Sequence, residues 1–491
     1  MSDRTDPPSS AAFTTDVLGR EGVPSTAVGG SELGQVAATL DVWRAKWASR
    51  AAIDARRRRR LDRHLAFVRR QSRFYARHWA DVPEGTTDLR AYPPVTKPTL
   101  MANFDDVVTD TAVTKAGVDA FVADESTIGE RFLGRYPVWL TSGTTGEPGV
   151  FLHDDLSLRL INVLPDRWIV GSIAASPTAL TRFLRNGARA AEIAVTGGHF
   201  AGASGVALME RESTLLHNRG RLLSPTRPID ELIQELEAFQ PAILVGYATV
   251  LVELARAQRA GRLHIDPAFV GPTAEPITND QKRDLREAFG CVVRELYGST
   301  ECFPLAVECE RGNLHANTDW FVVEPVDDDY EPVPAGEPSD TVLVTNLGNR
   351  IMPLVRYDLG DSVTMHDWEC PCGSGFPVLE VEGRQGSVLQ FETDAGASVP
   401  VFPLALSTVV EEVPGVRRAQ VVRTGERTLR VHLDVTGDAD PGAVRERVDT
   451  DLTAFFADQG VADLTVEHAE DPPARVPTSG KFRHVWSEYD D

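Results

Sequence analysis

The sequence predicts an α/β protein with a large layered domain and a smaller α+β module behind it. In the middle of the chain, apolar strand-like runs alternate with amphipathic stretches, a pattern typical of parallel strands joined by helices. Near residue 386 the pattern changes to strand pairs around one helix. The 491 residues also favour two or three domains of roughly 100–200 residues each.

The N-terminal part divides into an irregular segment and a helical one. Residues 1–35 are rich in Ser, Pro, Gly and Thr, which predicts disorder. From Leu40 to Tyr75 apolar residues recur at helical spacing, so Trp43, Trp47 and Phe67 are expected in the core.

An arginine run at residues 56–60 lies within this helical stretch. A basic run can bind nucleic acid or a membrane, but Leu61, Leu65 and Val68 interleave with the arginines at helical spacing. The formal net charge of −22 also argues against a nucleic-acid surface. We therefore expect the solvated face of an amphipathic helix, with neither a nucleic-acid nor a membrane partner.

Strands and helices alternate in the central region. The run at 242–245 predicts a strand before the helical stretch "ATVLVELARAQRAG", and Cys291–Leu296 predicts one after "TNDQKRDLREAFG". A turn-rich excursion at 325–340 precedes the strand "TVLVTNL". These elements support a large domain over residues 36–385.

The C-terminal module is expected over residues 388–491. A hairpin around Thr424-Gly425 is followed by a helix that starts near Asp440-Pro441 and stops at Gly460. The segment "DLTVEHAE" predicts a further strand. The boundary is placed at 385–388.

Compartment and redox state follow from what the sequence lacks. No apolar run approaches the roughly 18 residues of a membrane span, and the N-terminus has no basic start and apolar core of a signal peptide. We expect a cytoplasmic protein, in which the five cysteines are metal ligands or buried thiols rather than disulfides.

The segment "LTSGTTGEPG" at 140–149 has the composition of an anion-binding loop. Backbone N–H groups in a glycine-rich turn form a concavity for anions, and hydroxyls add donors. The Walker pattern is absent, because Gly146 is followed by Glu147 rather than by Lys. By itself the segment fits either a phosphate loop or a polar surface loop.

Four further motifs follow in order: "ELYGSTE" (295–301), "RYDLGD" (356–361), "GRQGS" (383–387) and "PTSGKFR" (477–483). Together with the first loop they resemble the adenylate-forming superfamily of acyl-CoA ligases, luciferases and peptide-synthetase adenylation domains. The long runs from "PAILVGYATV" and "EPITNDQKRD" resemble its phenylacetate–coenzyme A ligase branch. The resemblance extends over residues 90–490.

The resemblance implies that ATP is bound and a carboxylic acid is adenylated. The implied nucleotide-binding residues are Thr141, Ser142, Gly143, Thr144, Thr145 and Gly146 around the pyrophosphate portion, Tyr297 on adenine with Gly298 and Ser299 beside it, Asp361 on the ribose, Arg384 near the ribose or phosphates, and Glu275. The implied catalytic residues are Thr300 on a phosphate oxygen, Glu301 on Mg²⁺ and Lys481 on the carboxylate and α-phosphate.

The resemblance also implies a mobile C-terminal domain that rotates after adenylation and presents an acceptor. Two positions depart from the family pattern. Ser387 stands where the hinge is usually Asp or Lys, and Glu147 stands where the loop commonly carries Lys. Ser387 bears on the transfer of the acyl group to the acceptor, and Glu147 bears on nucleotide affinity.

Four residues have the composition of a structural zinc site. Cys309 and His315 lie in "CERGNLH", and Cys370 and Cys372 form "CPCG". Three thiolates and one imidazole match a closed tetrahedral site, which would tie loops 302–315 and 366–376 together. The alternatives are free buried thiols or Cys302 as one of the ligands.

The acyl group is expected between the phosphate loop and "VGYATV". Trp139, His199, Phe200 and Tyr247 are candidates for the pocket wall, and aromatic lining suits an aryl or arylacetic acid. The same side chains fit an ordinary core.

Three functions remain open from the sequence. The first is an acid–thiol ligase that uses ATP, Mg²⁺ and coenzyme A, with structural zinc. The second is an adenylating enzyme of secondary metabolism that passes its acyl group to an amine or a carrier protein. The third is a catalytically weakened nucleotide-binding protein. Both a monomer and a homodimer are compatible with the sequence.

Overall fold

The computed structural model describes residues 32–141, 149–196, 198–212, 218–381, 389–436, 439–474 and 484–489. Its helices are α1 (Glu32–Lys46), α2 (Arg50–Gln71), α3 (Arg73–His78), α4 (Lys97–Ala102), α5 (Phe104–Val107), α6 (Lys115–Val122), α7 (Asp155–Val163), α8 (Asp166–Ala174), α9 (Pro177–Arg185), α10 (Ala201–Glu212), α11 (Ile229–Phe239), α12 (Ala248–Arg259), α13 (Asn279–Phe289), α14 (Pro403–Glu411) and α15 (Pro441–Asp458).

The strands complete the list of elements. They are β1 (Val138–Leu140), β2 (Val150–Leu152), β3 (Ala190–Ile193), β4 (Gly220–Leu223), β5 (Ile243–Tyr247), β6 (Phe269–Thr273), β7 (Val292–Val293), β8 (Leu296–Ser299), β9 (Cys302–Glu308), β10 (Leu314–Ala316), β11 (Phe321–Val326), β12 (Thr341–Asn346), β13 (Tyr357–Asp358), β14 (Val363–His366), β15 (Val378–Val381), β16 (Leu389–Glu392), β17 (Ser398–Val401), β18 (Val416–Gly425), β19 (Thr428–Val435), β20 (Thr465–His468) and β21 (Val485–Ser487).

A mixed sheet forms the centre of the molecule, with strand order β14-β15-β10-β9-β8-β6-β5-β3-β4 and β7 beside β6. From β4 to β8 neighbouring strands are parallel, whereas from β8 to β14 they are antiparallel. The carboxyl ends of β5, β6 and β8 therefore meet at one edge, where ligands bind in α/β sheets. The predicted α/β class is confirmed.

The central helices begin and end where local sequence predicts. Thr278 and Gln281 form a reciprocal capping box at the start of α13, and Gly290 ends that helix with a left-handed φ of +57°. The adjacent prediction was partly wrong. The run at 291–296 does not form one strand but divides between β7 and β8.

The C-terminal residues form a four-stranded sheet of order β20-β19-β18-β21 with α14 and α15 packed on it. Leu389, Phe391, Val421 and Phe456 belong to its hydrophobic cluster. The predicted hairpin, the helix from Pro441 and the strand after it are all present.

Helix α1 differs from the prediction in two respects. It begins at Glu32, inside the segment that was expected to be disordered, while residues 1–31 lie outside the described chain. Trp43 and Trp47 are 43% and 80% exposed, so their prediction as core residues was wrong. Small residues at 38, 42 and 45 form the buried face of α1, and the two indoles lie away from it.

The arginine run belongs to α2, as expected. Ile53, Leu61 and Leu65 form the buried face of this helix, while Arg58 and Arg59 are exposed. The amphipathic interpretation is confirmed for these two arginines. Arg60, however, is largely buried: it pairs with Asp41 and Asp319 and stacks on Trp320, so the run is only partly a solvated face. Among the described residues, none of the helices combines the length and apolar character needed to cross a bilayer.

Candidate functional site

The carboxyl edge of the sheet brings two predicted nucleotide residues together. Tyr297, on β8, donates a hydrogen bond from its hydroxyl to Oδ2 of Asp361 at 3.0 Å. Burial, and then the negative charge of Asp361, raise the pKa of Tyr297 well above its usual value. The phenol is therefore a neutral donor that fixes the carboxylate at physiological pH.

A cavity of about 450 Å³ opens beside this pair. Its wall includes Glu275 and Gly298 as well as Tyr297 and Asp361, so four of the predicted nucleotide residues share one space. Glu275 is fixed there because its Oε2 accepts hydrogen bonds from the backbone N and the hydroxyl of Thr249, at 2.9 and 2.7 Å. These bonds join the loop after β6 to the start of α12.

Gly298 is required by close packing between β8 and β9. A Cβ at this position would lie 2.7 Å from the carbonyl oxygen of Cys302 and 3.0 Å from the backbone N of Leu305. Ser299, the next residue, has a buried hydroxyl without a hydrogen-bond partner among the described residues. An orphaned buried hydroxyl at this edge is free to bond a ligand.

Glu301 is buried in the turn between β8 and β9, next to Thr300. The Tyr357 hydroxyl donates to its Oε1 at 3.0 Å, and the Lys97 ammonium lies 3.9 Å from the same oxygen. A carboxylate held in this way is a suitable ligand for a hard cation such as Mg²⁺.

Lys97 also connects Glu301 with the base of the glycine-rich loop. Its Nζ donates to the Thr141 hydroxyl at 3.3 Å. The Thr141 hydroxyl in turn accepts from the backbone N of Gly149 at 3.0 Å, and the Thr141 N donates to the Gly149 carbonyl at 2.9 Å. Sequence reasoning missed Lys97, because a single lysine at the start of a short helix gives no motif.

The aromatic candidates for the acyl pocket divide into two groups. Trp139 is buried on β1. The next residue of that strand, Leu140, contacts His199 and Phe200. The backbone N of Leu140 donates to the His199 carbonyl at 2.8 Å, and Leu140 pairs with Phe200. His199 Nε2 lies 3.0 Å from the Thr127 hydroxyl. The Trp139 ring packs on His153, with centroids 4.2 Å apart, and the His199 ring packs on Phe121, at 5.1 Å, so both rings lie in the protein core.

Tyr247 ends β5 and is bonded differently. Its hydroxyl accepts a hydrogen bond from the backbone N of Val195 at 3.4 Å. Burial is the largest cause of its raised pKa, and the negative charges of Glu275, Glu192 and Glu412 raise it further. Tyr247 thus lies in an acidic environment near Glu275, a predicted nucleotide residue.

Three thiols and one imidazole converge next to residues 312–314, which also line the cavity. The ligand atoms of Cys309, His315, Cys370 and Cys372 all lie within 4.8 Å of one another. Cys309 Sγ is 3.9 Å from Cys370 Sγ, and Cys372 Sγ is 3.3 Å from His315 Nε2. Ligands of a tetrahedral zinc ion are about 3.3–3.8 Å apart, so this donor set fits zinc.

The surroundings of His315 select the nitrogen that faces the thiols. Its Nδ1 donates to the Phe376 carbonyl at 2.8 Å, so the lone pair of Nε2 is free to bind a metal. The imidazole also stacks on Trp168, with ring centroids 5.0 Å apart. Cys302, the alternative ligand, is buried apart from the cluster, and all five cysteines are free thiols.

Several predicted site residues lie outside the described residues. They are Ser142, Gly143, Thr144, Thr145, Gly146, Arg384 and Lys481, together with the two departures Glu147 and Ser387. Their roles remain predictions from the resemblance.

Comparison with known proteins gives two matches in sequence, and no family model matches the chain. The chain is 29% identical over 233 residues to protein CapK of Staphylococcus aureus, covering 46% of this chain and 49% of that protein. It is 28% identical over 304 residues to the phenylacetate–coenzyme A ligase of Thermus thermophilus, covering 60% and 63%. The alignments thus span about half to three-fifths of these relatives.

The fold is similar to that of 2-hydroxyisobutyryl-CoA ligase solved with 2-HIB-AMP and CoA, with a TM-score of 0.56 and 19% identity over 90% of this chain and 91% of that one. The same ligase in its postadenylation state gives a TM-score of 0.54 and 20% identity, covering 91% of each chain.

The chain therefore has the fold of the adenylate-forming ligases. In sequence it is similar to the phenylacetate–coenzyme A ligase-like branch, which confirms the resemblance predicted from the motifs.

Proposed function

We propose that this protein is an AMP-forming acid–thiol ligase, which adenylates a small carboxylic acid with ATP and Mg²⁺ and passes the acyl group to coenzyme A. The observation that carries the proposal is the Tyr297–Asp361 pair on the wall of a cavity of about 450 Å³. In this proposal, adenine lies against the ring of Tyr297. Asp361 Oδ1 and Oδ2 accept bonds from the ribose hydroxyls.

Adenylation joins two anions, so the site must offset their repulsion. A carboxylate oxygen of the acid attacks the α-phosphorus of ATP, and the bond to the pyrophosphate oxygen breaks. Fixed donors and cations carry most of the catalysis of such a transfer. We assign this task to Lys97, to the glycine-rich loop and, from the resemblance, to Lys481.

Glu301 is proposed as the Mg²⁺ ligand. When bound, the ion neutralises phosphate charge. The Tyr357 hydroxyl orients the carboxylate, and the Lys97 ammonium, 3.9 Å away, limits the negative charge that remains when the ion dissociates.

The cluster of Cys309, His315, Cys370 and Cys372 is proposed to hold a structural zinc ion. Four protein ligands complete a tetrahedral shell, which leaves no open position for catalysis. The ion would join the loop between β9 and β10 to the residues that precede β15.

An aromatic acid is the proposed substrate class. The support for it comes from the resemblance and from the aromatic residues Trp139, His199 and Phe200, of which the last two contact the end of β1 through Leu140. An acyl pocket with aromatic lining favours a flat acyl group.

We further propose that the residues after 388 form the small domain that brings Lys481 to the site. The hydrophobic cluster from Leu389 to Val485 supports this, because most of its members lie within the C-terminal sheet, α14 and α15. The predicted boundary falls within 382–388, outside the described residues. Cytoplasmic location and oligomeric state remain predictions.

The experiment is pyrophosphate release with ATP, Mg²⁺ and a panel of aromatic, aliphatic and amino acids, with and without coenzyme A. We expect release with an aromatic acid, followed by a coenzyme A thioester. In the matched variant, Lys481→Ala should reduce release by orders of magnitude while thermal unfolding remains unchanged.

Each other outcome has a defined meaning. Release without a thioester would indicate an amine or a carrier protein as the acceptor. If no acid supports release, the ligase proposal is wrong unless Glu147→Lys, which restores the family's loop residue, creates activity.

A further inference from the structure

Asn313 lies between the thiol cluster and the nucleotide cavity. It belongs to the loop that joins β9 to β10, with Cys309 and His315 on either side of it. Its side-chain Nδ2 donates to Cys370 Sγ at 3.3 Å, and its carbonyl accepts from the backbone N of Cys309 at 2.9 Å. One residue therefore contacts cysteines from both segments of the cluster.

The same residue forms part of the cavity wall. Gly312, Asn313 and Leu314 line the cavity of about 450 Å³ together with Tyr297 and Asp361. The second segment reaches the same wall, because Val378 and Leu379 of β15 also line it.

Strand pairing makes this wall continuous. Leu314 pairs with Leu379, and the ligand His315 pairs with Val378. A shift of either cysteine-bearing segment would therefore move residues that face the nucleotide space.

We propose that Asn313 is a positioning residue that couples metal retention to nucleotide binding. The inference rests on the proposed function, since it requires zinc in the cluster and adenosine in the cavity. Donors to a ligating thiolate orient it, and their removal typically weakens metal binding about 10–100-fold. Because coupling between two ligands is reciprocal, zinc tightens nucleotide binding by the same factor by which nucleotide tightens zinc binding.

A zinc ion that stabilises the fold without changing the position of the cavity wall makes a different prediction. Pairing of β10 with β9 and β15 would then hold the loop in place without the metal. Nucleotide would bind equally well with and without zinc, and metal release would ignore nucleotide.

The test uses the zinc-loaded full-length protein with AMP as the probe. The dissociation constant of AMP is measured by calorimetry on the zinc-loaded protein and on the folded zinc-free protein, and the zinc dissociation constant is measured by equilibrium competition with a chelator, with and without saturating AMP. We expect zinc removal to weaken AMP binding by about 5–150-fold, and AMP to lower the zinc dissociation constant correspondingly. In the cobalt-substituted protein, AMP should shift the absorption bands of the metal.

Asn313→Ala is the variant, and Asn279→Ala is its control. Asn279 lines the same cavity but belongs to α13, outside the thiol cluster. Asn313→Ala should raise both the zinc and the AMP dissociation constants. Asn279→Ala should leave the zinc dissociation constant at the wild-type value.

Three results overturn the inference while the ligase proposal stands: AMP binding that is equal with and without zinc, a zinc dissociation constant of the wild type that AMP does not alter, or a folded Asn313→Ala protein that binds zinc as tightly as wild type. The first two do not depend on the folding of a variant. If zinc-loaded wild type does not bind AMP at all, the proposed nucleotide site fails, and the coupling fails with it.

Discussion

The contacts of Lys97 indicate its role in the site. Its ammonium bonds the Thr141 hydroxyl and lies 3.9 Å from Glu301. It supplies positive charge between Thr141, which precedes the glycine-rich segment, and Glu301, the proposed Mg²⁺ ligand.

We predict that Lys97→Met reduces kcat/KM for adenylation on the order of 100-fold, since preorganised charge at a developing anion has an effect of this size. ATP–pyrophosphate exchange measures the change. The concentration of Mg²⁺ needed for half-maximal exchange should also change, because Glu301 loses its neighbouring cation.

Lys115→Met is the matched control for Lys97. Lys115 is a half-buried lysine at the start of α6 that pairs with Asp119 at 2.7 Å. Its replacement should leave exchange at the wild-type rate. If Lys97→Met and Lys115→Met show equal exchange rates, Lys97 has no role in adenylation.

At the scale of elements, the thiol cluster joins segments that the chain separates. Cys309 ends the β9 region and His315 lies on β10, whereas Cys370 and Cys372 precede β15. The Phe376 carbonyl, between Cys372 and β15, fixes His315 through its Nδ1. A metal here would therefore stabilise the antiparallel half of the central sheet.

We predict about one zinc ion per chain in the purified protein. Cys372→Ser should lower the zinc content well below this value and lower the temperature of thermal unfolding, because metal-binding free energy contributes to folding. Elemental analysis and thermal denaturation measure the two effects.

Cys291→Ser provides the control for the cluster. Cys291 is a free thiol outside the cluster and packs against another hydrophobic region. Zinc content should not change in this variant. A wild-type protein that contains no zinc, and whose unfolding temperature a chelator does not change, would contradict the zinc proposal.

At the scale of the whole molecule, the stability of the fold should depend on pH through its buried histidines. His64 lies in the interior of α2 packing, and neither ring nitrogen has a hydrogen-bond partner among the described residues. Burial, with a smaller effect of Arg350, lowers the pKa of His64 to about 3. His153 is likewise lowered to about 3 by burial.

A depressed histidine pKa means that the unfolded state takes up the proton first. Between pH 6.5 and 3 these two imidazoles bind more protons in the unfolded chain than in the folded one, so their contribution to stability falls as pH falls. Glu192 and Asp166 have pKa values raised by burial to about 7 and 6, and they act in the opposite direction. The variant must therefore be compared with wild type at each pH.

We predict that His64→Leu becomes progressively more stable relative to wild type as pH decreases from 6.5 to 4. The change should approach about 1.4 kcal/mol per pH unit. Denaturant unfolding at several pH values measures it, with His264→Leu showing the effect of removing an exposed imidazole. Parallel stability curves for His64→Leu and wild type would contradict the prediction.

Motifs and local signals were sufficient for much of this protein. The alternation of strand and helix in the central region predicted the α/β class, and Asp440-Pro441 predicted the start of α15. The convergence of Cys309, His315, Cys370 and Cys372 was also predicted, because their residue types match a zinc site and each pair is closely spaced in the sequence. Such signals act over a few residues, so the chain itself contains them.

Only the tertiary structure decided which distant residues meet. Tyr297 and Asp361 are 64 residues apart in the chain, and their hydrogen bond forms only when the strands between them in the sequence assemble into the sheet. Lys97 reaches Glu301 only because α4 packs beside the end of β8, and no local pattern marks it. Trp43 and Trp47 are exposed because smaller side chains of α1 fit closer to their neighbours. Burial and long-range pairing depend on the packed partner surface, which is absent from any single stretch of sequence.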